Sequence, residues 1–238
     1  MIGGGSSGAV VTARLAAAGT DVVLVEAGPD YGPLDGGRWP SEILDATALA
    51  TTHDWGYTSG PIDGRAPWTW ERARILGGCS AHNGAIAAVG HRDDYDAWGL
   101  PGWSTDELRP VFATVLETMR VRASLPEEAG PFHARCLEAA RTAGWHLASD
   151  LCDLDANESF GLETVNVVDG LRWNTAFAYL DPVRSSRHLT ITDRTLVDRI
   201  ETTGNGVVVH LVSDGRRSSI GADLVVVAGG VYGTPAIL

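Results

Sequence analysis

Hydrophobic positions along the 238-residue chain change period several times, and each change marks an element. Residues 9–18 are rich in Ala and Leu, with Val10, Val11 and Thr12 β-branched, and predict a helix ended by Gly19. Residues 22–25, Val-Val-Leu-Val, form a short apolar run of the kind buried on both faces of a parallel sheet. From 28 to 70 periodicity gives way to Gly, Pro, Asp and Trp. A loop this long has two readings: a lid or cofactor cover, or a surface excursion pinned by Trp39, Trp55, Trp68 and Trp70. Ser104 and Glu107 form a capping box that opens a helix over 104–119, on which Leu108, Val111, Phe112, Val115, Leu116 and Met119 make a core-facing stripe. A second helix is expected over 132–143, a strand over 160–168 and a short helix over 175–180. Three or four strands follow between 189 and 220, at 189–192, 196–201, 207–212 and 218–220. Turns at Thr203-Gly204-Asn205-Gly206 and Ser213-Asp214-Gly215 join the later ones into a β-meander. Residues 223–228 read as a buried strand breaking at Gly229-Gly230, with Thr234 as N-cap and Pro235 at the first position of a last helix.

The first helix and strand frame a glycine pattern. Gly3, Gly5 and Gly8 spell G-x-G-x-x-G, open the helix, and lead into the apolar strand that ends in Glu26. That order is the fingerprint of a dinucleotide-binding βαβ unit. Gly3 permits the tight turn, Gly5 lets a pyrophosphate approach the backbone, and Gly8 lets helix and strand pack closely. The N–H groups of Ser6, Ser7 and Gly8 face the phosphates at the positive end of the helix dipole. Glu26 would accept hydrogen bonds from a ribose and repel a 2′-phosphate, which disfavours NADP. The bland alternative is a glycine-rich turn before an ordinary helix, and the fingerprint alone does not choose between FAD and NAD. Only Met1 and Ile2 precede Gly3, where a full strand of about five or six residues is expected, so the natural N-terminus is expected upstream.

Composition narrows the class. The net charge of −12 argues against nucleic acid or an anionic membrane as partner. All 18 basic residues are arginine, which we read as a compositional bias of the source. Cys79, Cys136 and Cys152 have spacings that suggest neither a disulfide framework nor a zinc site. No metal site is expected: the acidic loop at 150–158, with Asn157, lacks the spacing and glycine of a calcium loop. No apolar run approaches membrane-spanning length and the start lacks the plan of a secretion signal, so a cytoplasmic location is the default.

Residues 72–99, RARILGGCSAHNGAIAAVGHRDDYDAWG, carry the most specific pattern. Arg74, Leu76, Gly77, Gly78, Ser80, Asn83, Ala87 and Gly90, followed by Asp94, Tyr95, Asp96 and Trp98, resemble the first signature of the glucose-methanol-choline (GMC) oxidoreductases, FAD enzymes that oxidise alcohols. The chemistry agrees, since Gly77 and Gly78 let backbone lie against a planar ring and Asn83 can hydrogen-bond a polar ring edge. Cys79 and His82 depart from the commoner pattern, and GGCS-x-HN resembles the choline-oxidising branch. In that branch the His at this point carries the flavin covalently. For His82 the resemblance therefore leaves two readings, a bond to the flavin or a ring that only packs or hydrogen-bonds near it. Gly84 stands where that branch has a Ser, which speaks against choline itself. The run Gly170-x-Arg172-Trp173 to Tyr179-Leu180 and the closing Ala228-Gly229 to Pro235 also resemble the family.

The resemblance implies an α/β fold: a Rossmann-like FAD-binding parallel sheet with a β-meander over residues 1–125 and 186–238, and the beginning of a substrate-binding domain over 126–185. It implies FAD contacts at Gly3, Gly5, Ser6, Ser7, Gly8, Glu26, Ala27, Arg74, Leu76, Gly78, Ser80, His82, Asn83, Gly84, Ile86, Val197 (through its backbone, to adenine), Ala228 and Gly229. The implied reaction is hydride transfer from a small alcohol to flavin N5, with a histidine as general base. That histidine is expected beyond Leu238, because His53, His91, His133, His146, His188 and His210 sit in no matching motif. The chain is thus expected to be truncated at both ends and inactive alone. An NAD-linked enzyme and a non-catalytic flavin-binding remnant or family lyase are the alternatives, and the electron acceptor stays open among oxygen, a quinone and a carrier protein.

Overall fold

The computed structural model describes residues 1–61, 63–155, 159–204 and 206–238, so Asn157 and Glu158 of the acidic loop and Asn205 of the meander turn lie outside the described residues. The chain divides into two compact units, Met1–Asn83 with Trp173–Leu238, and Gly84–Arg172. Parallel and antiparallel pairing both occur, as an α/β chain requires.

In the first unit the helix α1 (Ser6–Ala17) leads to the strand β1 (Val22–Val25), which pairs in parallel with Leu189–Thr192. On its other side lies Ile2, bridged in parallel to both Val25 and Val227. The Ile2 N–H donates to the Val226 carbonyl at 2.9 Å, and the Ala228 N–H donates to the Ile2 carbonyl at 2.7 Å. The two residues before the glycine turn therefore occupy the central place in a parallel layer, as a βαβ unit demands. Strand alternation sends Leu24 into a core with Ala9, Ile75, Leu76 and Phe177, and Val25 into another with Ile2, Val197 and Leu211. The expectation of full two-sided burial is corrected at Val23, which is 41% exposed.

The meander runs antiparallel through Leu196–Thr203, Gly206–Ser213 and Arg216–Ala222. A register shift between Val197 and Arg199 decides which side chains face inward. Positions three apart on a regular strand point to opposite faces, yet Val197 and Ile200 both pack on the Val209–Leu211 core. The extra residue, Asp198, restores the common face. Leu189–Thr192 belongs to the parallel layer and not to the meander.

Three further expectations are corrected here. Residues 223–228 are extended but form only one bridge, at Val227, and Leu224 is 77% exposed. The closing helix spans Gly230–Ile237 with Gly229 as N-cap, so Pro235 falls inside it and Thr234 caps nothing. Residues 175–180 form a single π-type turn, Ala176–Leu180, whose first donors, Ala176 N–H and Phe177 N–H, are taken by Asn174 Oδ1 at 3.0 and 3.4 Å.

Of the four tryptophans expected to pin the 28–70 segment, Trp39 is buried. Its Nε1–H donates to the Gly32 carbonyl at 2.8 Å and its ring meets Phe177 edge-on. Trp68 and Trp70 are exposed.

The second unit holds the helices Thr105–Thr118 and Pro131–Thr142 and a small sheet in which Thr164–Val165 pairs with both Ile86–Ala87 and Arg122–Ala123. The capping box is present, with Ser104 Oγ accepting the Glu107 N–H and Glu107 accepting the Ser104 N–H. The apolar stripe is only half-covered, since Phe112 packs on Tyr95 while Val111 is 53% exposed. The strand expected over 160–168 is three two-residue pieces, and the first is followed by Gly161, where a Cβ would lie 2.9 Å from Leu151 and 3.0 Å from the Ala148 carbonyl. Among the described residues no helix is long and apolar enough to cross a membrane.

Gly8 is the tightest point of the βαβ unit, because a Cβ there would lie 1.9 Å from the Gly3 carbonyl oxygen. Gly8→Ala is therefore expected to destabilise by about 3 kcal/mol or more. A Cβ at exposed Gly221 meets nothing within 4 Å, so Gly221→Ala should stay within about 0.5 kcal/mol of the parent. Thermal melts of the two variants check both; equal melting temperatures would refute the packing account.

Candidate functional site

Four separated segments of the first unit close around a cavity of about 500 Å³, within the roughly 300–1,000 Å³ usual for small-molecule sites. The glycine turn supplies Gly3, Gly5, Ser6 and Ser7, the end of β1 supplies Glu26 and Ala27, the second glycine turn supplies Gly78, and the closing segment supplies Ala228 and Gly229. Val197, a meander core residue, also lines it. These ten of the residues expected from sequence are brought together.

Glycines recur along this surface. The two glycine turns touch directly, since a Cβ on Gly78 would lie 2.6 Å from the Gly5 Cα and 3.4 Å from the Ser6 nitrogen. α1 begins with no capping side chain and no acidic residue in its first turn, so its leading N–H groups are free of a carboxylate competitor. They carry the positive end of the helix dipole into the cavity.

Glu26 is 7% exposed and holds the turn in place. Its Oε2 accepts the Gly4 N–H at 2.7 Å and its Oε1 accepts the Gly28 N–H at 2.8 Å. An ionised carboxylate has about four lone-pair sites, so both oxygens can still accept from a ligand hydroxyl. Burial raises the Glu26 pKa, against the backbone N–H groups of Gly28, Gly4 and Ala27 and the charge of Arg74, which lower it.

The remaining expected residues do other work or lie elsewhere. Gly8 and Leu76 are packing positions, with Leu76 fully buried. Ser80 Oγ donates to the Gly77 carbonyl at 2.6 Å and meets Thr175 Oγ1 at 3.0 Å, clamping the second glycine turn from behind. Arg74 is exposed, donates from Nε to the Ala27 carbonyl at 3.2 Å, and lies over the Trp55 ring at 4.9 Å. His82 is directed to the Thr52 carbonyl, 2.8 Å from Nε2. A carbonyl only accepts, so the proton sits on Nε2. Asn83 is exposed, its backbone N–H bonded to the Cys79 carbonyl. Gly84 and Ile86 belong to the second unit, where Ile86 is 57% exposed.

Sequence reasoning missed one wall. Trp55, Tyr57, Arg72, Cys79, Thr195 and Tyr232 also line the cavity. Trp55 and Tyr57 stack with ring planes 5° apart, and Tyr57 meets Tyr232 at 5.1 Å. The alternation Trp55-x-Tyr57 was the available signal: two aromatics on one side of an extended segment.

Glu26→Ala removes the acceptor of two buried N–H groups and should cost about 1–3 kcal/mol for each donor left unpaired. The pH dependence has a definite sign. Because folding raises this pKa, the Glu26 contribution is full below the ordinary glutamate range and declines as pH rises through the raised value. The stability gap between parent and Glu26→Ala should therefore narrow as pH rises; denaturant melts across acid to neutral pH measure it, and a gap that widens would refute the assignment.

All 238 residues match the family model described as GMC oxidoreductase. Mouse mitochondrial choline dehydrogenase is 30% identical, over the whole of this chain and 44% of its own length. Glucose dehydrogenase [FAD, quinone] of Drosophila pseudoobscura pseudoobscura is 31% identical over the whole of this chain and 42% of its own length. Among solved structures, pyridoxine 4-oxidase from Mesorbium loti is 26% identical and superimposes with a TM-score of 0.78 over 93% of this chain and 47% of that one. The chain thus spans less than half the length of these relatives. The resemblance drawn from residues 72–99 and the glycine fingerprint holds over the full length: the chain belongs to the GMC oxidoreductase family, whose cofactor is FAD.

Proposed function

We propose that the cavity binds FAD and that the chain is the FAD-binding portion of an oxidoreductase acting on the CH–OH group of a small alcohol. The observation that carries this is the meeting of the glycine turn, Glu26, Gly78 and Ala228-Gly229 on one cavity. The residues present fit the cofactor, because a backbone cradle that a Cβ would fill lies beside free helix N–H groups and a buried carboxylate. Glu26 would hold the adenosine ribose, Ser6 and Ser7 N–H the pyrophosphate, and the backbone around Gly78 and Gly229 the remainder. When bound, FAD supplies the hydride acceptor. This chain's residues bind and orient. No histidine lines the cavity among the described residues, so removal of the hydroxyl proton falls to a group outside it.

The domain assignment that goes with this proposal keeps residues 1–125 and 186–238 as the FAD-binding domain and 126–185 as the start of a substrate-binding domain. Cys79, Cys136 and Cys152 are free thiols, which supports a reducing compartment such as the cytoplasm.

The flavin is proposed to be held without a covalent bond, since the His82 Nε2 already serves the Thr52 carbonyl. Acid precipitation of flavin-loaded protein should leave yellow colour in the supernatant; a yellow pellet that His82→Ala bleaches would reverse this. For the cofactor itself, fluorescence titration should show FAD bound at least tenfold more tightly than riboflavin, a preference lost in Glu26→Ala. Binding of NAD with no binding of FAD would overturn the proposal.

A further inference from the structure

We propose that Arg72 is the cationic contact for the phosphates of the bound dinucleotide, an inference that rests on the FAD reading above. A pyrophosphate brings two negative charges into a protein of net charge −12. The head of α1 offers a partial charge of only about +0.5, so the site needs a cation as well. Among the described residues the cavity lining includes one acid, Glu26, and one arginine, Arg72.

Arg72 is held in place without being neutralised. Its backbone N–H donates to Asp54 Oδ2 at 2.7 Å, which fixes the segment. Its guanidinium lies over the Tyr232 ring, 5.6 Å from the centroid, and donates from Nη1 to the neighbouring Glu71 carbonyl at 2.6 Å. Among the described residues no carboxylate lies within ion-pair distance of it, leaving most of its five N–H donors open. Arg184, the other guanidinium set into this unit, shows the contrast: Asp30 and Asp181 grip it at 2.7 and 2.6 Å. Arg74 is the competing candidate, but it is exposed, spends its Nε on the Ala27 carbonyl and does not line the cavity.

A half-buried guanidinium resting on an aromatic face, with its fork free, is suited to phosphate oxygens. Tyr232 belongs to the closing helix that begins at Gly230, so the same contact ties Arg72 to the segment that carries Gly229.

The test titrates the full 238-residue chain with FAD and with riboflavin, which has the ring but no phosphate, at low and moderate salt. The parent should bind FAD in a salt-weakened manner and riboflavin almost independently of salt. Arg72→Gln should weaken FAD about tenfold or more at low salt and flatten its salt dependence, with riboflavin unchanged, and Arg72→Lys should recover part of the loss. Unchanged FAD affinity in Arg72→Gln would overturn the inference, as would equal losses for FAD and riboflavin, which would place the guanidinium on the ring. A parent that binds no flavin at all would instead overturn the reading beneath it. Modification of the parent by phenylglyoxal needs no variant: mass mapping should show Arg72 shielded by FAD and not by riboflavin, and shielding by neither would count against the contact.

Discussion

Glu26 is a carboxyl group taken out of water and given two backbone N–H groups in return. Leaving a buried carboxylate unpaired costs several kcal/mol, whereas hydrogen bonds to a charged group return about 1.5–3 kcal/mol each, so the Gly4 and Gly28 contacts together decide whether the ion is tolerated. The consequence is structural. The glycine turn and the end of β1 become one rigid piece, because neither can move without stripping the carboxylate of a partner. Around that piece the other segments are placed by contact: Gly78 against Gly5, and Gly3 against the Ala228 carbonyl.

Side chains and backbone divide the labour at this site. Glycines of both turns and of the closing segment line the cavity, while other side chains of the same motifs turn inward to brace it. Leu76 fills the core beneath the turn, and Ser80 with Thr175 ties the Gly77 carbonyl. His82 reaches across to Thr52 and so fastens the 28–70 segment to the second glycine turn. That segment also delivers Trp55 and Tyr57 to the cavity wall, so it is built into the site and the core alike.

Much of this was legible in the residues, and the failures have physical causes. The G-x-G-x-x-G spacing and Glu26 could be read because strand, turn and helix each impose a period or a steric demand on neighbouring positions. The meander could be read for the same reason. What escaped was set by tertiary pairing. Residues 223–228 look like a buried strand, yet they bridge only at Val227 and Leu224 is 77% exposed. Pro235 looks like a helix start, yet Gly229 and Gly230 already release the chain into a helix five residues earlier. The wall of Arg72 and Tyr232 joins positions far apart in sequence, and neither carries a local signal of the other.

The central claim is that glycine backbone from separated places gathers around FAD, and a spectrum of protein carrying 15N only in glycine addresses it most directly. On adding FAD, the amide signals of Gly3, Gly5, Gly78 and Gly229 should shift together, while Gly144 and Gly170 of the second unit stay in place. Shifts confined to the second unit, or none within the glycine turns, would contradict the account.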